Sequence, residues 1–140
     1  MRPHQVVLDT NVIVSALRSR QGASFALLSL VGKSSGFEIN VSVPLVLECE
    51  DAAKRQAQVS PEAVDAVIDY LCAVANRREI FFLWRPFLDD PGDDMVLELA
   101  VEARCEFIIT YNQRDFKGVE RFGIRTVTPR EFLQRIGELP

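Results

Sequence analysis

Histidine is nearly missing from this chain, His4 being the only one in 140 residues. An imidazole-based catalytic dyad or metal centre is thereby excluded unless it uses His4, and a histidine so near the amino terminus reads as a mobile surface residue. Cysteine is also scarce. Cys49, Cys72 and Cys105 are odd in number, widely spaced and set among apolar neighbours, so they offer neither a disulfide framework nor a zinc spacing and read as small core hydrophobes. Long apolar runs are absent: charge interrupts even the richest segments within about ten residues, well short of a membrane span. The opening MRPHQ leads straight into a strand pattern rather than a signal peptide, and the expected location is the cytoplasm. Basic charge is in short supply as well. A net charge of -4 and a pI near 5.0 argue against a domain that coats nucleic acid nonspecifically. They leave room for an enzyme acting on nucleic acid, because an acidic metal site lowers the total charge. Lys54 with Arg55, Arg77 with Arg78, and Arg114 with Lys117 could meet phosphates, although each reads equally well as a solvated face.

What is present is an ordinary globular composition in a chain of one-domain length, so residues 1–140 are taken as a single domain. Strand-like apolar runs fall at residues 5–8, 37–41, 80–84, 107–110 and 124–127, and helical patterns at 12–17, 23–31, 44–56, 61–76, 95–103 and 129–136. That alternation predicts an α/β fold in which parallel strands are joined by right-handed crossovers, a three-layer α/β/α sandwich. Turn chemistry agrees. Gly32 to Gly36 reads GKSSG, and Ser60 before Pro61 and Thr128 before Pro129 each look like a helix cap followed by its first residue.

Acidic residues stand where such a sheet would use them. VVLDTNVIVSAL, residues 6–17, is a buried-strand pattern that stops at Asp9 and resumes as the apolar stripe of a helix. Asp9 is therefore at a strand's carboxyl end, where open α/β sheets place ligands, although an aspartate there also caps helices. SVPLVLECE, residues 42–50, has Ser42 as a cap and Glu48 about a turn further on, either exposed beside Glu50 and Asp51 or on the face beside Asp9. DDPGDD, residues 89–94, precedes an amphipathic run; Pro91 and Gly92 make a turn, and capping by Asp93 or Asp94 uses fewer acids than the four present. TYNQRDF, residues 110–116, again puts Thr110, Asn112 and Asp115 after a strand. In a parallel sheet these ends share one edge. Two carboxylates 4 Å apart repel by roughly 4 kcal/mol at an effective dielectric near 20, so a convergent group must protonate a member or hold a divalent cation. Oxygen ligands without histidine or thiolate favour Mg²⁺ or Mn²⁺ over zinc.

These blocks, with the closing FGIRTVTPREFL, resemble in order those of PIN-domain proteins, closest to the bacterial and archaeal toxins of toxin–antitoxin pairs near the VapC group. The likeness covers nearly the whole chain. It implies an Mg²⁺- or Mn²⁺-dependent endoribonuclease with a parallel sheet of about five strands. By position, Asp9 is the first acid, with Thr10 and Asn11 completing its block; Glu48 is the helical glutamate; Asp93 is the third acid, with Asp94 the adjacent alternative. The fourth block departs from the commoner pattern, because Asn112 stands where an aspartate is usual, and the fourth acid is assigned to Asp115. On that resemblance Asp9, Asp93 and Asp115 hold the metal and Glu48 orients or deprotonates the attacking water, leaving a 5′-phosphate and a 3′-hydroxyl. It also implies an RNA substrate, a cognate antitoxin and a homodimer, for which the apolar helix at residues 64–74 is a candidate surface that core packing explains equally well.

Two rival readings remain. One is a catalytically weak or inactive PIN-fold module that binds RNA or a protein partner, kept open by Asn112 and the acidic pI. The other is a receiver-type phosphoryl-transfer domain, which needs a paired acid after the first strand and a lysine late in the chain; Asp9 stands alone and the late lysine is Lys117.

Overall fold

The computed structural model describes residues 2–80 and 87–140. Five parallel strands, β1 (His4–Leu8), β2 (Phe37–Val41), β3 (Asn76–Arg77), β4 (Phe107–Ile109) and β5 (Arg125–Val127), make one sheet in the order β3-β2-β1-β4-β5. Among the described residues six α-helices accompany them: α1 (Thr10–Arg18), α2 (Ala23–Leu30), α3 (Val43–Lys54), α4 (Pro61–Val74), α5 (Pro91–Glu102) and α6 (Pro129–Arg135). The predicted α/β sandwich with a parallel sheet is what forms.

β1 is central, and Val6, Val7 and Leu8 are buried as a strand covered on both faces must be. α5 lies against β1, β2 and β4; five consecutive residues, from Val96 to Ala100, are buried in it, the pattern of a helix enclosed on all sides. α1 packs on α2 and α3, α2 on α6, and α3 on α4. Val64, Ile68 and Leu71 of α4 are buried in the core, which is where most of that helix's apolar stripe is used. Among the described residues no helix is long and apolar enough to cross a membrane.

Two local expectations are corrected, and a third falls almost wholly outside the described residues. β3 is Asn76–Arg77, at residues assigned to the end of a helix or left unassigned; Ala75 in extended conformation ends α4, and the backbone then pairs with β2 through Asn40 and Val41. The strand expected at residues 80–84 falls almost wholly outside the described residues, and Ile80 belongs to no regular element. His4 is not a loose surface group: it opens β1, its Nδ1 is 3.0 Å from Glu106 Oε1, and its ring meets Phe107 and Phe132 edge-on.

The strand order decides where a site can be. β1 connects by way of α1 and α2 to β2 on one side, whereas β4 connects to β5 on the other. The crevice between β1 and β4 is thus the sheet's switch point, where the connections diverge and leave the strands' carboxyl ends open.

Candidate active site

Asp9 and Thr110 directly follow those two strands. The Asp9 backbone N–H donates to Ile109 O at 2.9 Å, continuing the ladder, and the side chain then caps α1 by accepting from Thr10 N at 2.8 Å. Its other oxygen accepts from Thr110 Oγ1 at 2.8 Å. The capping and functional interpretations of Asp9 are therefore compatible, since each carboxylate oxygen has its own donor. Asn11 braces the pair: its Nδ2 is 3.4 Å from Asp9 Oδ2 and 3.3 Å from Thr110 Oγ1, while its Oδ1 accepts from Tyr111 N at 3.3 Å. Asp9 is buried, and burial raises its pKa above the ordinary carboxylate value, the Thr110 and Thr10 hydrogen bonds opposing and Asp115 and Asp90 reinforcing the rise.

Glu48 is brought to the same place from α3. It remains exposed to solvent, yet desolvation, Asp9 and Asp90 raise its pKa, with a hydrogen bond from Thr10 holding it back. Its Oε1 stands 3.6 Å from where a Cβ on Gly92 would be, within ordinary van der Waals contact, which places it at the amino end of α5. Asp93, in the first turn of α5, feels every member: its pKa is pushed up to about 7, chiefly by burial and then by Asp9, Asp90, Asp115 and Glu48.

Asp93 and Asp94 separate cleanly. Asp94 Oδ1 accepts from Phe87 N at 3.2 Å and Leu88 N at 2.9 Å, so its carboxylate ties the preceding loop to α5. Neither is the cap. Asp90 is, accepting from Gly92 N at 2.7 Å, with Pro91 as the first helical residue. The expected start at residue 95 was therefore four residues late, and Pro91 and Gly92 are in the helix rather than in a preceding turn. Asp90 is the member that sequence reasoning missed. The signal was there, since Ser60-Pro61, Asp90-Pro91 and Thr128-Pro129 all place a cap before a proline.

The fourth block forms a 3₁₀ turn, Gln113–Phe116, in which Asp115 is exposed and Phe116 buried. Asn112 precedes that turn and gives its backbone N–H to Thr110 Oγ1 at 3.0 Å. The carboxylates press on one another electrostatically, but among the described residues no three acidic, histidine or cysteine side chains make a ready ligand set for a metal ion. What fits a hard divalent cation is the chemistry of the donors: oxygens alone, with excess negative charge. Cys49 is no competitor, because burial pushes its thiol up to about 12 and its Sγ is 3.6 Å from Thr10 Oγ1.

A family model described as PIN domain matches residues 5–114. The chain belongs to the PIN-domain family. Most of the match is the sheet and helices just described, and it includes Asp9, Glu48 and Asp93 but stops one residue before Asp115. PIN domains are generally nucleases, hydrolases that generally use divalent metal ions. The fold is shared with a chain in the crystal structure of VapBC2 from Rickettsia felis bound to a DNA fragment from their promoter, with a TM-score of 0.61 at 14% identity over 89% of this chain and 98% of that one. No curated protein sequence matches this PIN domain.

Proposed function

We propose that the chain is an Mg²⁺- or Mn²⁺-dependent endoribonuclease acting as the toxin of a toxin–antitoxin pair. The observation that carries the reading is Asp93, a partly buried carboxyl in the cleft that Asp90 and Asp115 also line, its pKa pushed up to about 7 by burial and by four other acids. Such a group is destabilising unless it is protonated or neutralised by a cation.

Asp9, Asp93 and Asp115 are the residues that would hold the metal, and Asp90 and Glu48 add negative charge around it. A divalent cation there supplies Lewis acidity to a phosphodiester and lowers the pKa of water. The chain's own residues do the rest. Thr110 and the Thr10 N–H fix the two Asp9 oxygens, Asn11 holds Thr110 in register, and Glu48, a solvent-exposed acid on α3, orients the attacking water and takes its proton. In-line attack on phosphorus breaks the bond to O3′, leaving a 5′-phosphate and a 3′-hydroxyl. The VapBC2 likeness supports an antitoxin as partner. A homodimer completes the proposal.

A binding module without cleavage is the second reading, favoured by the lack of a ready ligand set among the described residues. One experiment separates them: incubate the purified chain with a mixed RNA pool in Mn²⁺ or Mg²⁺, with chelator, and as Asp9→Asn. Cleavage that needs both the metal and Asp9 is expected. RNA binding with no metal-dependent cleavage by a folded chain would favour the module, and undiminished metal-dependent cleavage by Asp9→Asn would remove Asp9 from the mechanism.

A further inference from the structure

Beside the acids is a cleft of about 370 Å³ whose lining includes Asp90, Asp93 and Asp115 but also Phe87, Arg114 and Lys117. A polyanion approaching five carboxylates is repelled unless cations stand close by. The two basic residues are placed by the 3₁₀ turn Gln113–Phe116, in which Arg114 lies and which Lys117 ends. With three residues per turn, positions i and i+3 eclipse, so Arg114 and Lys117 share one face while the buried Phe116 fastens the turn to the core.

Of the other paired basic residues, one member of each pair is engaged elsewhere. Lys54 pairs with Glu50 at 3.2 Å and Asp65 at 2.8 Å, and Arg78 Nε donates to Asn40 Oδ1 at 3.1 Å. Arg114 and Lys117 make no side-chain hydrogen bond or ion pair among the described residues, although acids line the same cleft. Phe87 gives the cleft a fixed wall. Its ring packs edge-on to Phe122 at 5.2 Å, carries the Arg121 guanidinium at 5.6 Å, and comes within 3.3 Å of where a Cβ on Gly118 would stand. Gly118 has φ +92, so the chain turns there with a backbone that other residues rarely adopt.

We infer that Arg114 and Lys117 form a phosphate anchor, holding the backbone phosphate next to the scissile one in a single-stranded RNA. The inference rests on the ribonuclease reading above. Arg114 offers a planar fork to two phosphate oxygens and Lys117 a compact charge, and the cleft's volume suits one nucleotide-sized group.

The test compares the chain with Arg114→Gln/Lys117→Gln, with the charge-keeping swap Arg114→Lys/Lys117→Arg, and with Lys33→Gln. Lys33 lies in the turn leading to the amino end of β2, at the opposite sheet edge. Cleavage kinetics on a single-stranded oligoribonucleotide are paired with binding by anisotropy over a salt series in the Asp9→Asn background. The double glutamine variant is expected to raise KM about tenfold or more with a smaller change in kcat, and to lower the slope of log K against log salt by about 1.4, two contacts at about 0.7 each. The swap should keep the slope, and Lys33→Gln should change neither. Unchanged KM and slope in a chain that cleaves would overturn the anchor and leave the nuclease standing. In a chain that binds RNA without cleaving it, the nuclease falls and the slope alone decides: its loss supports the anchor and its persistence overturns it. Neither binding nor cleavage overturns both.

Discussion

A single carboxyl carries much of the chemistry. Asp93 holds its proton to about 7 in the folded chain against an ordinary value of 3.8. Between those values the folded state keeps a proton that the unfolded state has released, so raising the pH favours unfolding. Without divalent cations, the thermal midpoint should therefore fall as pH rises through that interval, and Asp93→Asn should flatten the dependence; melts across pH in chelator read this directly. Adding Mn²⁺ near pH 7 should restore the midpoint, most in the native sequence. Thr110 acts in the opposite sense. Its hydroxyl lowers the Asp9 pKa by donating to Oδ2, so Thr110→Val should move the acid limb of the cleavage pH profile upward while leaving the alkaline limb in place. An unmoved acid limb would show that Asp9 does not set it.

At the scale of elements, helix starts place the charges. Asp90 caps α5 and, in the same position, presses on Asp9, Glu48 and Asp93. Asp90→Ser keeps a capping oxygen but removes the charge, and should lower the Asp93 pKa with little loss of stability; carboxyl titration by NMR checks the first and denaturant unfolding the second. α6 offers a comparison whose cap contributes to none of the raised carboxyl pKa values. Thr128 and Glu131 form a reciprocal capping box, with bonds of 3.2 and 2.8 Å. Thr128→Ala should cost about 1 kcal/mol, with no change in the catalytic pH profile. The caps at Ser60 and Thr128, each followed by a proline, were legible in the sequence. Asp90 was obscured by its neighbours, because in DDPGDD both capping and metal holding want the same residue type and spacing alone does not apportion them.

For the whole molecule, the sheet order matters more than any one helix. The switch point between β1 and β4 brings Asp9 and Thr110, 101 positions apart, within hydrogen-bonding distance. Ile108 is fully buried in β4 between β1 and β5. Ile108→Ala should therefore cost about 2–5 kcal/mol, and its loss of activity should follow the unfolded fraction, measured by unfolding and cleavage on the same preparation.

The amino-acid sequence by itself determined the class and most of the elements. Apolar runs of strand length between helical periods specify a parallel α/β sheet, since burial on both faces and crossover connections leave few other arrangements. It also determined that acids follow several of the strands. It did not determine β3, because Asn76 and Arg77 carry no apolar signature and pair only because α4 delivers them to the edge of β2. Nor did it separate Asp93 from Asp94, adjacent and chemically identical. Only the tertiary structure did, turning Asp94 toward the amides of Phe87 and Leu88 and leaving Asp93 as the one whose pKa burial and the other acids raise. A helix rotates successive side chains by about 100°, so the direction of each is decided by what packs around the helix and not by the residue's name.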